Sequence, residues 1–182
     1  MTWVLKNKIV FIFFYFNILL VLKIKKIKID SNLEYNMEQN KRFGLGVFCM
    51  VFNKDFSKIL LVRRNEEKRN KYGADWGNIG GKIEFGETSI QGAVREIKEE
   101  VGLYLNPKKL KLIEIKEQPN YHPNVHGIHF IYATSIDKKE KIIINDESEE
   151  YRWFDIKNLP DKMLDSKKDI LRWWKIVKEL KW

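Results

Sequence analysis

The stretch Gly80–Leu103, GGKIEFGETSIQGAVREIKEEVGL, decides how the chain is read. At its centre R-E-I-K-E-E crowds Glu96, Glu99 and Glu100 together. Thr88 followed three positions later by Gln91 has the form of a capping box, so a helix starts there, and Gly102 supplies its stop. At about 100° per residue, Ile90, Val94, Ile97 and Val101 fall within an arc of about 60°, a stripe that faces a core. Glu96, Glu99 and Glu100 fall within a second arc of about 100°. The three acids share one face.

A solvated surface is the ordinary explanation for clustered charge. A helix gains by alternating acids with bases at i, i+4, whereas Glu96 and Glu100 form a like-charged pair at that spacing, at a cost of a few tenths of a kcal/mol. Lys98 lies about 150° from the centre of the acidic arc and offers little relief. A divalent cation turns the repulsion into coordination, and carboxylate oxygens are hard donors suited to Mg²⁺ or Mn²⁺. Gly80 and Gly81, without Cβ atoms, let a carbonyl approach a metal or an amide approach a phosphate.

Gly81, then five residues to Glu87, then seven to the run Arg95, Glu96, Ile97, Lys98, Glu99, Glu100, Val101, Gly102, Leu103, resembles the Nudix box G-x5-E-x7-R-E-U-x-E-E-x-G-U at every fixed position. The box covers about an eighth of the chain, and the strand order and tryptophan-rich end extend the likeness over residues 42 to 180. The first 40 residues fall outside it. The resemblance implies an α/β fold, a mixed β-sheet sandwiched between helices. It also implies hydrolysis of a nucleoside diphosphate linked to another moiety, assisted by Mg²⁺ or Mn²⁺. By the same likeness Glu96, Glu99 and Glu100 are the metal-binding, catalytic acids and the Gly81 carbonyl is a further ligand. Glu87 and Arg95 are structural, bracing loop and helix. The segment NDESEEYRWF resembles the part of the family that carries an extra base or ligand, which points to Glu147, with Glu150 second. Ile79 departs from the proline common before the two glycines, a change that bears on loop stiffness more than on chemistry.

Around this helix the chain alternates strand and turn. FGLGVFCMVFN and KILLVRR make a hairpin through the turn Asn53–Phe56, and LKLIEIKEQ, VHGIHFIYATSI and EEYRWFDI have strand composition. Asp165–Trp182 places Ile170, Trp173, Trp174, Val177 and Leu180 at helical spacing, an amphipathic helix whose tryptophans belong to the core. Arg63 and Arg64 alternate across the second strand, so one of them faces a phosphate site, and Arg64 is the favoured substrate-binding residue. His122, His126 and His129 lack metal-ligand spacing.

The substrate clues conflict. Pro119, 16 residues past Leu103, has the spacing of ADP-ribose hydrolases, and Tyr121, at 18, that of dinucleoside polyphosphate hydrolases. Both stand in EQPNYHPN, read as a loop. LLVRRNEEKRNKYG resembles the coenzyme A subgroup only distantly. WGNIGGKIEFGET with WFDIKNLPDKML is most similar to the nucleoside-triphosphate members that include 8-oxo-dGTP sanitisers, which makes Asp165 a contact to the base. The expected reaction is therefore nucleoside triphosphate to monophosphate and pyrophosphate. An ADP-ribose or nucleotide-sugar pyrophosphatase, a non-catalytic nucleotide-binding regulator and an RNA 5′-end hydrolase are the alternatives. The intact set of box acids argues against the regulator.

The chain has 182 residues, 44% hydrophobic and 32% charged, enough for one domain with a full core. A lone cysteine, Cys49 in the apolar run GVFCMVF, excludes an internal disulfide and suits a reducing, cytoplasmic setting. The net charge is +9, but it is not gathered into an arginine-rich patch, and no stable nucleic-acid partner is expected. Six lysines against Asp30 and Glu34 place part of that charge in residues 1–36. Those residues form an apolar and basic extension ahead of a hydrolase domain at 37–182. Its run Ile9–Leu22, IVFIFFYFNILLVL, spans about 21 Å as a helix, short of a hydrocarbon core of about 30 Å. Three readings stay open: Met37 as the true start, weak membrane association through residues 9–22, and a signal peptide without a small-residue cleavage site. A monomer and a homodimer are both compatible with the sequence.

Overall fold

Alternation along strand β1 (Arg42–Asn53) organises the domain. Val47, Cys49 and Val51 turn to one face of the sheet and Met50 and Phe52 to the other, all five fully buried. A strand buried on both faces loses the polar alternation of an exposed sheet and reads as a continuous apolar run. Strand β2 (Lys58–Arg64) repeats the arrangement, with Leu60 and Val62 beside Val51 and with Ile59 and Leu61 beside Phe52. The structure is a computed structural model that describes residues 41–180 together with Leu19, Leu22, Lys23, Lys25, Lys26 and Lys28.

Five further strands complete a seven-stranded mixed sheet: β3 (Trp76–Gly77), β4 (Ile79–Lys82), β5 (Lys111–His122), β6 (Val125–Ile136) and β7 (Ser148–Asp155). The order is β3-β2-β1-β6-β5, with β4 also paired to β1 and β7 to β2. Three helices are described in this part of the chain: α1 (Glu66–Tyr72), α2 (Ser89–Val101) and α3 (Lys167–Glu179). Helix α2 lays Ala93, Ile97 and Val101 on the Val47 face, and α3 lays Ile170, Trp173 and Val177 on the Phe52 face. The result is the expected α/β/α sandwich. Helix α1 buries no residue.

Helix α2 starts as its sequence dictates. The Thr88 hydroxyl accepts from the Gln91 N–H at 3.4 Å, the Gln91 side chain accepts from the Thr88 N–H at 2.8 Å, and Gly102 closes the helix in the left-handed region at φ 70°. Helix α3 is shorter than Asp165–Trp182: Ser166 caps it by accepting from the Asp169 N–H at 3.1 Å, so Asp165 lies before the helix. Leu180, at its end, is exposed.

Two local expectations are corrected. EQPNYHPN is for the most part not a loop, because β5 runs on to His122 and pairs with β6 as far as His122 with Val125. The register breaks between Gln118 and His122, where Pro119 has no N–H to give to the ladder. Ile79 is not a loop residue either. It is fully buried in β4, paired with Cys49, so its side chain contributes to the core at a position where proline would remove a backbone donor.

The chain divides into two compact units, Met1–Arg42 and Phe43–Trp182. In the first, Leu19, Leu22, Lys23, Lys25, Lys26 and Lys28 are helical and exposed, and Lys41 and Arg42 lead into β1. Apart from Leu19 and Leu22, the readings of the run 9–22 and of Met37 lie outside the described residues. No helix among the described residues is long and apolar enough to cross a membrane.

Trp173 is fully buried and donates its indole N–H to Glu114 at 2.6 Å. Trp173→Ala is expected to destabilise the domain by about 3–5 kcal/mol through the cavity it leaves, measured as a shift in the urea unfolding midpoint at unchanged slope. A loss below about 1 kcal/mol would show that α3 does not hold that face of the sheet.

Candidate active site

The site is built where β4 passes beneath α2. Strand β4 pairs antiparallel with β1 over Gly46 with Lys82 through Cys49 with Ile79. Gly80 has φ 155°, and a Cβ there would stand 2.1 Å from the Val47 carbonyl oxygen, so only glycine fits. A Cβ on Gly81 would lie 2.3 Å from Glu96 Oε1. The paired glycines thus bring backbone directly against the acidic face of the helix.

The carboxylates differ in surroundings. Glu100 is buried, accepts only a long bond from the Gly80 N–H at 3.4 Å, and its pKa is pushed up to about 8 by desolvation and then by the neighbouring charge of Glu96. Glu96 is also shifted upward, by burial first, with Arg95 opposing. Glu99 is half exposed. Arg95 connects them: it donates to Glu96 Oε1 at 2.9 Å and to Glu99 Oε2 at 3.0 Å. It also donates to both oxygens of Glu87, at 2.8 and 3.1 Å, and to the Lys82 carbonyl at 2.8 Å. Glu87 in turn accepts from the Glu84 N–H at 2.7 Å, and its pKa is lowered chiefly by Arg95. Glu87 and Arg95 therefore join the loop to the helix. The relief that Arg95 gives to the acids was not visible in the helical-wheel reading, which considered Lys98 alone.

Glu147 lies within electrostatic reach of both Glu96 and Glu100. Glu150 does not share the site: it pairs with Arg152. Glu149 is taken by Arg63 and Arg69. Lys68 of α1, unmarked in the sequence reading, forms an ion pair with Glu147. A charged seven-residue run with no apolar stripe gives no helical periodicity to detect. The one local signal was Asn65 three positions before Lys68, a cap that accepts from the Lys68 N–H at 3.0 Å.

Arg63 and Arg64 separate as strand alternation requires. Arg63 points to Glu149, whereas Arg64 lies over the Tyr72 ring, 4.9 Å from its centroid, and close against Gly77. Arg64 also reaches Asp165 and Tyr121 electrostatically. Asp165 is half-buried and accepts from Asn78 Nδ2 at 3.0 Å, and desolvation raises its pKa. Asn78 is buried, with its Oδ1 unpaired among the described residues. Two groups of side chains result, the acids of α2 with Glu147 and the Arg64–Asp165 group, linked by the segment Trp76–Lys82.

The donor set of the first group suits a hard divalent cation: the carboxylates of Glu96, Glu99, Glu100 and Glu147, with no nitrogen or sulfur ligand. Glu100 gives the strongest indication, since a buried carboxylate without a bonded cation is costly. As the side chains stand, no three acidic, histidine or cysteine groups among the described residues close around one point. Arg95 holds Glu96 and Glu99, while Glu100 faces Gly80.

Comparison with known proteins agrees with this geometry. The NUDIX domain model matches residues 42–174. The ADP-ribose pyrophosphatase of Methanocaldococcus jannaschii is 35% identical over 126 residues, 68% of this chain and 70% of that protein. The dihydroneopterin triphosphate diphosphatase of Escherichia coli is 25% identical over 122 residues, 61% and 77% of the two chains. In fold, the MutT NUDIX hydrolase from Burkholderia pseudomallei superposes with a TM-score of 0.60 at 22% identity, covering 72% of this chain and 98% of that one. With its glycine pair set against an acidic helix face and its matched span running through nearly all of the α/β domain, the chain belongs to the Nudix family and is a pyrophosphohydrolase of nucleotide derivatives.

Proposed function

We propose that the protein hydrolyses a nucleoside triphosphate to the monophosphate and pyrophosphate, with Glu96, Glu99, Glu100 and the Gly81 carbonyl holding Mg²⁺ or Mn²⁺. A bound divalent cation would neutralise diphosphate charge and make water a better nucleophile at neutral pH. Glu147, with its Oε2 held by Lys68, takes the proton of the attacking water. Arg64, stacked on Tyr72 and without a carboxylate partner among the described residues, binds phosphate oxygens. The observation that carries the triphosphate reading is the Asn78–Asp165 pair: a carboxyl oriented by an amide, in reach of Arg64, suits the polar edge of a base.

A second reading, ADP-ribose as substrate, is favoured by the 35% identity to the archaeal ADP-ribose pyrophosphatase and by Pro119 at its spacing. Products separate the two. A panel of nucleoside triphosphates and ADP-ribose, incubated in ¹⁸O-water and read by mass, is expected to yield monophosphate plus pyrophosphate with one label on a phosphate product. AMP and ribose phosphate from ADP-ribose, with triphosphates untouched, would establish the second reading instead. Orthophosphate alone from a triphosphate would overturn both, because a different bond is then cut.

Glu99→Gln and Glu100→Gln are each expected to lower kcat by several powers of ten, about 3 kcal/mol or more of lost charge stabilisation. Full activity of Glu100→Gln in excess EDTA would sink the metal assignment. Asp165 supplies a pH test. Its folded pKa is raised, so its contribution to stability is present below the ordinary carboxyl range and is lost as pH rises through the folded value. Asp165→Asn, which never ionises, should therefore gain thermal midpoint over the wild type as pH rises above the ordinary carboxyl range, and it should lose discrimination among bases. A constant midpoint difference over that rise, with base preference unchanged, would remove Asp165 from the site.

A further inference from the structure

We propose that Lys68 is a positioning residue for hydrolysis, fastening Glu147 against the acidic face of α2; the inference rests on the role given above to Glu147. Helix α1 buries none of its residues, so core packing does not explain its place. Polar groups hold it instead: Arg69 donates to the Arg64 carbonyl, and the others described here lead to the segment that carries Glu147. The Asn65 N–H donates to the Glu147 carbonyl at 2.9 Å, Asn65 Nδ2 donates to the Asp146 carbonyl at 3.0 Å, and Arg69 pairs with Glu149 at 2.6 Å. Lys68, capped by Asn65 on the first turn of α1, then reaches the Glu147 carboxylate at 2.5 Å and lies within electrostatic reach of Glu100.

Charge gives this contact its purpose. Glu96, Glu100 and Glu147 repel one another, and Glu147, at 47% side-chain exposure, has solvent open to it. A long flexible carboxylate in that position turns outward unless a cation restrains it. Arg95 does this for Glu96 and Glu99 from within α2, and Lys68 does it for Glu147 from α1.

The test is a double-mutant cycle on the full chain, with the nucleotide turned over fastest in the product assay and Mg²⁺ in excess. Lys68→Met is expected to lower kcat by about tenfold to a hundredfold, as a displaced catalytic group does, with KM changed by less than about threefold. Lys68→Arg, which keeps the charge, should restore most of the rate. The double variant Lys68→Met, Glu147→Gln should be no slower than Glu147→Gln alone, because Lys68 acts through Glu147. Wild-type kcat in Lys68→Met, a loss confined to KM, or multiplicative losses in the double variant would each overturn the proposal. The two layers fail differently. If Glu147→Gln is slow and Lys68→Met is not, the positioning role alone falls. If Glu147→Gln is silent, the assignment of Glu147 falls and takes Lys68 with it. Thermal midpoints of the variants are expected to match the wild type, since Lys68 has no part in the core.

Discussion

The Arg95 guanidinium is the contact on which the site depends. One planar cation takes both oxygens of Glu87, one oxygen each of Glu96 and Glu99, and the Lys82 carbonyl. Charge-assisted bonds of this kind are roughly twice as strong as neutral ones and fix orientation as well as distance. They tie the loop after β4 to the first turns of α2, which keeps Gly81 pressed against Glu96. Lysine, a single point charge, could not span five acceptors in one plane.

Beneath that contact lies the packing that makes Glu100 unusual. Ala93, Ile97 and Val101 seat α2 on the sheet, and Glu100, beside Val101, is buried with them. Its elevated pKa records the cost. Cys49, directly beneath, feels the charge of Glu100 and Glu96 in addition to its own burial, and its thiol is pushed well above the usual range. It behaves as a small apolar side chain.

The second group of residues is assembled from parts of the chain outside the box. Arg64, Tyr72, Asn78, Tyr121 and Asp165 come from β2, α1, the link between β3 and β4, β5 and the approach to α3. No two of those elements are fixed by the box. In the function proposed above, the chemistry rests on a rigid helix and strand, and the choice of substrate falls to these side chains gathered from several connections.

The sequence by itself determined the helix of the box, its caps, its core stripe and the acid face, because all four depend on spacing within one helix. It also determined the strands of the two-faced sheet through their apolar runs, and the opposite orientations of Arg63 and Arg64 through strand alternation. Tertiary structure decided what distant residues do to one another. Arg95 rather than Lys98 relieves the acids, because its side chain folds back over the loop to Glu87. Lys68 meets Glu147 from 79 positions away, and Asn78 meets Asp165 from 87. Ile79 became core and Pro119 a break in a strand register instead of loop residues, since β4 and β5 exist only by pairing with β1 and β6. Periodicity reports a residue's place on its own element, and only the packed sheet brings the elements' charges within reach of each other.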